Sequence, residues 1–129
     1  MKGPVVLDAS ALLALLHQEP GSHLVEPVLA TCVMSAVNYS EVIAKLIQRG
    51  AATDLVLDGL RALQLQVIPW DQELAEAAAD LSSFAWSHGL SLGDRACLAT
   101  ARQRKMPVMT ADRNWSVLPI KGVAVRVIR

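Results

Sequence analysis

Four acidic residues stand where the chain could bring carboxylates together. Asp8 follows Val5-Val6-Leu7, Glu41 lies early in a helical stretch, Asp94 opens a small-residue helix, and Asp112 follows Val108-Met109-Thr110. Carboxylate oxygens without histidine or thiolate partners suit a hard cation, Mg²⁺ or Mn²⁺, better than zinc or copper. Without a cation, clustered acids repel one another and raise each other's pKa values. With one or two ions, such a cluster can orient a phosphate, activate a water and stabilise a leaving oxygen, which is the chemistry of phosphodiester hydrolysis. Each acid also has a purely structural reading. Asp8 can cap the first helix, Ser91-x-x-Asp94 has the form of a capping box, and Asp112 suits a turn. Glu41 falls opposite the apolar stripe of its helix and has Lys45 at i+4, the arrangement of a solvated, salt-bridged glutamate. Spacing alone leaves both readings open.

The remaining polar residues carry less. Cys32 and Cys97 lie far apart in apolar runs, where a reduced, buried thiol is expected, and His17, His23 and His88 form no zinc-binding pattern. Formal charge is zero, with 12 basic and 12 acidic residues, so no overall electrostatic preference for nucleic acid exists. The basic residues are nevertheless uneven: Arg95, Arg102, Arg104, Lys105 and Arg113 fall in the C-terminal third. Such a patch could hold a phosphate backbone, with Arg95 and Arg113 the candidates for substrate contact. Arg102, Arg104 and Lys105 read equally well as a helix end favoured by the macrodipole. Aromatic residues are few: Tyr39 falls on a core stripe, and Trp70, Phe84, Trp86 and Trp115 are expected to pack in the core or anchor a turn.

The elements that must position the acids alternate between strand and helix. Pro4 to Leu7 reads as a buried parallel strand, followed by a helix over about Ala9 to His17 that stops at Glu19-Pro20-Gly21. Ser22 can cap a second helix through about Ala30, interrupted or kinked by Pro27, and Cys32 to Met34 is a short strand. Ser35 caps a helix in which Tyr39, Val42, Ile43, Leu46 and Ile47 form one core-facing stripe and which Gly50 ends. A helix over about Ala52 to Ala62 and a strand over Leu65 to Pro69 follow. Asp71 caps a long helix reaching Ser87, with Gly89 as its stop. After the Asp94 helix ends near Lys105, Pro107 to Thr110 is a strand, Asp112 to Trp115 a turn or short helix, and Val123 to Ile128 a last strand.

Strands separated by helices imply parallel crossovers, hence an α/β protein with a three-layer α/β/α sandwich and a mostly parallel central sheet. At 129 residues and 53% hydrophobic composition, one domain over 1–129 is expected to bury a core without disulfides. No apolar stretch is long enough to span a bilayer, and the N-terminus has no signal-peptide pattern, so a cytoplasmic location is expected. In an open parallel sheet the ligand site lies beyond the carboxyl ends of the strands, where strand order reverses, and all four acids can reach that edge.

Four segments carry a family resemblance: Leu7-Asp8-Ala9-Ser10-Ala11-Leu12-Leu13-Ala14, Asn38-Tyr39-Ser40-Glu41-Val42, Leu90-Ser91-Leu92-Gly93-Asp94-Arg95-Ala96-Cys97-Leu98-Ala99 and Thr110-Ala111-Asp112-Arg113-Asn114-Trp115. In order and across essentially the whole chain they resemble the PIN-domain family, most closely the VapC-type toxins of bacterial toxin–antitoxin pairs. The resemblance implies that Asp8, Glu41, Asp94 and Asp112 are catalytic and metal-binding, with Ser10, Thr110 and Asn114 hydrogen-bonding around them. It implies a Mg²⁺-dependent endoribonuclease, with Mn²⁺ as a substitute, that cuts structured RNA such as tRNA or ribosomal RNA. It further implies a homodimer and a cognate antitoxin, which could cover the acidic groove and place an arginine where the cation sits. Two other readings stand beside it. One is a PIN-like interaction module without catalysis. The other is a haloacid-dehalogenase-like phosphatase, weakened because Ser10 stands where that family carries a second aspartate.

Overall fold

The computed structural model describes residues 3–82 and 88–129. Its middle layer is a five-stranded sheet in the order β3-β2-β1-β4-β5, formed by β1 (Val6–Leu7), β2 (Val33–Ser35), β3 (Gln66–Ile68), β4 (Val108–Thr110) and β5 (Val125–Val127). Every pairing is parallel, with Val6 opposite both Val33 and Val108, Val33 opposite Gln66, and Val108 opposite Val125. The expected α/β/α sandwich is present. Its helices are α1 (Ala9–Leu16), α2 (Ser22–Val25), α3 (Ala36–Gln48), α4 (Thr53–Ala62), α5 (Gln72–Asp80) and α6 (Leu92–Arg104), with 3-10 turns at Glu26–Val28 and Arg113–Val117.

Strand alternation divides the core. Val5, Leu7, Met34 and Met109 point into one apolar layer with α1 to α4, and Val6, Val33, Ile68 and Val108 into another with α5 and α6. Period-two side chains buried on both faces are what central parallel strands require. Burying each large aliphatic side chain contributes roughly 1.5–3 kcal/mol. Both cysteines are free and buried, one in each layer. Among the described residues no helix is long and apolar enough to cross a membrane.

Several local expectations change in the structure. Gly21, at φ +93°, takes the N-cap position of α2, and Ser22 is the first helical residue. Pro27 sits where α2 gives way to a 3-10 turn, because proline has no N–H for the helical ladder. Along α3 the stripe is narrower than its periodicity suggests: Val42 is buried, Tyr39, Ile43 and Leu46 pack against the core, and Ile47 is exposed. Of the helix expected from Asp71 to Ser87, α5 covers Gln72–Asp80, the Leu81 amide takes a tighter bond to the Ala78 carbonyl, and Ser82 is helical again. Residues 83–87, including Phe84 and Trp86, lie outside the described residues. Trp70 packs, partly buried, against the α5/α6 layer, and Trp115 is fully buried there beneath the turn that follows Asp112.

Candidate active site

Strand order reverses between β1 and β4, and the residues that leave these two strands meet at their carboxyl ends. The Asp8 amide donates to the Met109 carbonyl at 3.0 Å, and its own carbonyl accepts from Ala11 and Leu12. Asp8 thus occupies the N-cap position of α1 through its backbone, yet its carboxylate makes no capping bond. Asp8 as a whole is 6% exposed, and its Oδ2 accepts from Ser10 Oγ at 2.6 Å and from Thr110 Oγ1 at 2.9 Å. The two hydroxyl oxygens in turn accept from the amides of Ala111 and Asp112 at 2.9 and 3.1 Å. A buried acid is therefore fastened to the strand and turn across the reversal by a relay that uses up both hydroxyl protons. Burial pushes the Asp8 carboxyl above its ordinary range, the Ser10 and Thr110 bonds oppose the rise, and the charges of Asp94 and Glu41 add to it.

Asp94 and Glu41 come from helices that pack on each other. Ser91 caps α6 by accepting from the Asp94 amide at 3.1 Å, and Asp94 Oδ2 accepts from the Ser91 amide at 3.0 Å, completing the capping box. Glu41, one turn into α3, is partly buried. Among the described residues no ion pair joins it to Lys45, so the solvated reading is corrected. Its Oε1 instead accepts from Asn38 Nδ2 at 2.8 Å, and the same nitrogen donates to the Gly93 carbonyl at 3.0 Å. The Glu41 carboxylate lies against the α-carbon of Gly93: a Cβ built there would fall 2.5 Å from Oε2 and 2.6 Å from Cδ. Glycine at 93 is thus required by contact, not by backbone angle, and it seats Glu41 beside Asp94. Cys97 lies one turn further along α6 and is buried. Its thiol is pushed well up, first by burial and then by the charges of Asp8, Asp94 and Glu41.

Asp112 stands at the rim. Its Oδ1 accepts from the Asn114 amide at 2.9 Å, capping the 3-10 turn. With Asp94, Asn114, Leu90 and Trp115 it lines a cleft of about 290 Å³. Asn114 serves Asp112 through its backbone, and its side chain is exposed. Arg113 turns away, its Nε donating to the Arg129 carbonyl at 2.9 Å, and Arg95 Nε is buried with no hydrogen-bond partner. Arg102 makes an exposed contact of 3.7 Å with Asp80, a surface pair of the kind that contributes little.

Charge and donor chemistry here fit a hard divalent cation: the acids are oxygen donors whose mutual repulsion a cation would relieve. Among the described residues, however, no group of three or more His, Cys, Asp or Glu side chains is close enough, as arranged, to hold a metal ion. Asp94 and Asp112 each commit one oxygen to a cap. The structural readings thus divide: Asp94 and Asp112 do cap helices, whereas Asp8 and Glu41 do not behave as their sequence neighbours suggest. Asn38 and Gly93 belong to the site through contacts that residue type and spacing alone do not mark. The available signal was an asparagine inside a helix, a poor helix former, one turn before an acid.

The model of the PIN domain family matches residues 5–121, a span that includes Asp8, Glu41, Asp94 and Asp112. The fold is similar to that in VapBC2 from Rickettsia felis bound to a DNA fragment from their promoter, at 12% identity over 96% of this chain and 98% of that one, with a TM-score of 0.73. It is similar to DNA-bound VapBC from Salmonella typhimurium at 16% identity over 100% of both chains, TM-score 0.72. FitAcB from Neisseria gonorrhoeae matches at 22% identity over 94% of this chain and 95% of that one, TM-score 0.70. A comparison by sequence with curated proteins gave no significant match. At these identities the structural likeness is one of fold, and the family match over nearly the whole chain supplies the rest: the chain belongs to the PIN domain family.

Proposed function

We propose that this chain is a Mg²⁺-dependent endoribonuclease, the toxin of a toxin–antitoxin pair, acting in the cytoplasm. The observation that carries this reading is Asp8: a carboxylate buried at the strand reversal, unused as a cap, and facing the charges of Asp94 and Glu41. Burying a carboxylate beside like charges is destabilising, a cost that a bound cation or substrate would offset. The family match and the toxin–antitoxin complexes among the structural relatives support the same conclusion.

Asp8, Glu41, Asp94 and Asp112 would hold the metal, and Mn²⁺ could substitute. The ion, when bound, would polarise the phosphodiester and lower the pKa of a coordinated water. Ser10 and Thr110 keep Asp8 oriented and favour its ionised form by donating to Oδ2. The cleft bordered by Asp94, Asp112 and Asn114 offers room for the backbone of a structured RNA, tRNA or ribosomal RNA. Arg95 and Arg113, the substrate contacts expected from the sequence, are not supported by the site: Arg113 Nε is engaged with the Arg129 carbonyl and Arg95 Nε is buried. We assign the inhibitory role to a cognate antitoxin that covers the acidic groove, and expect the active toxin to be a homodimer.

The capping bonds of Asp94 and Asp112 favour a second reading, an interaction module in which the acids only terminate helices. Cleavage of total RNA by purified protein, with Mg²⁺ or Mn²⁺ and with EDTA, separates the two. Discrete fragments formed only with metal, and lost in Asp94→Asn, are expected; asparagine keeps a carbonyl oxygen for the Ser91 amide, so the cap and the fold survive. Cleavage unchanged in both Asp8→Asn and Asp94→Asn would overturn the assignment.

A further inference from the structure

Asn38 is fully buried on α3, one turn before Glu41. Its two amide protons go to Glu41 Oε1 at 2.8 Å and to the Gly93 carbonyl at 3.0 Å. Both acceptors are oxygens, so the amide has only one workable orientation; flipping it would set its own oxygen against them. In that orientation Oδ1 is buried with no hydrogen-bond partner. An orphaned acceptor destabilises a fold, and a leucine would fill the same space without one. Packing therefore does not account for an asparagine here, and what its nitrogen holds does.

We infer that Asn38 is a positioning residue that presents Glu41 to the acidic cluster. It fixes Oε1 on the α3 side and joins that carboxylate to the first turn of α6, leaving Oε2 without a hydrogen bond among the described residues. Gly93 supplies the seat, since the carboxylate fills the volume a Cβ would take. Packing of α3 on α6 and orientation of Glu41 relative to Asp94 are thereby one interaction. The inference rests on the nuclease reading, in which Glu41 is a metal ligand.

The test is Mn²⁺ binding by the purified full-length protein, followed by the paramagnetic resonance of free Mn²⁺, in wild type, Asn38→Leu, Glu41→Gln and the double variant. Circular dichroism verifies folding. Groups that orient metal ligands typically change metal affinity by about 10–100-fold when removed. Asn38→Leu is expected to weaken binding by about that factor and to add nothing in the Glu41→Gln background, because it acts through Glu41. Wild-type affinity in Asn38→Leu, or the same loss with and without Glu41, would overturn the inference and leave the nuclease reading standing. Wild-type protein that neither binds Mn²⁺ nor cleaves RNA would overturn both. If Asn38→Leu does not fold, Asn38→Ala is judged by the same criteria.

Discussion

Replacing Gly93 with alanine should separate stability from activity. In an ordinary helix interior this change stabilises by about 1 kcal/mol, because alanine loses less backbone entropy on folding. At position 93 the new Cβ would lie 2.5 Å from Glu41 Oε2, against 3.4–4 Å for ordinary contact, so the carboxylate must retreat by roughly 1 Å. The obstacle is the end of a flexible side chain, which can move. Retreat sacrifices the 2.8 Å bond from Asn38, a charge-assisted bond worth about 1.5–3 kcal/mol, part of which water returns. The opposing effects leave net stability within about 2 kcal/mol of wild type in either direction. Activity has no such compensation: a misplacement of about 1 Å at a reacting centre can cost on the order of 100-fold. Thermal melts together with initial rates of RNA cleavage in Mg²⁺ provide the assay. A wild-type rate at an unchanged melting temperature would refute the claim that Glu41 works from its seat on Gly93. Loss of the fold would show that the glycine serves the α3/α6 contact instead.

Two further substitutions test the energetics. Because burial raises the Asp8 carboxyl in the folded state, the folded protein holds more protons than the unfolded chain between the two pKa values, and stability falls as pH rises through that window. In EDTA at pH 7, Asp8→Asn should therefore raise the melting temperature, by about 3–6 °C if the relief is near 1 kcal/mol, while abolishing cleavage. The difference from wild type should narrow as pH falls through about 4 and vanish near about pH 3, where the aspartate is protonated in both states; a lower melting temperature at pH 7 would contradict this account. Gly21→Ala should destabilise by about 2–4 kcal/mol, from left-handed strain and a backbone clash. Gly21 has φ +93°, and a Cβ there would fall 2.9 Å from Ile128 Cβ with the Ile128 carbonyl oxygen also in contact. Urea denaturation reads the loss, and a cost below about 1 kcal/mol would show that the C-terminal segment moves aside.

What the sequence determined by itself are the features closed within a few residues. Ser35 accepts from the Val37 amide, Asp71 from Leu74, and Ser91 and Asp94 form their box. The valine-rich runs become parallel strands because β-branched side chains buried on both faces fit nowhere else. The order of elements follows, and with it the strand reversal at which Asp8 emerges. Tertiary structure alone decided what the acids do. Asp8 could equally have capped α1, but its partner Thr110 lies 102 residues away. Glu41 had Lys45 within reach, yet its surroundings are set by Gly93 and by Asn38, which spans 55 residues to the Gly93 carbonyl. A cap satisfies a backbone donor on its own turn, so residue types reveal it. A buried carboxylate takes whichever donors packing brings after the solvent is gone, and those are fixed only when α3, α6 and β4 converge.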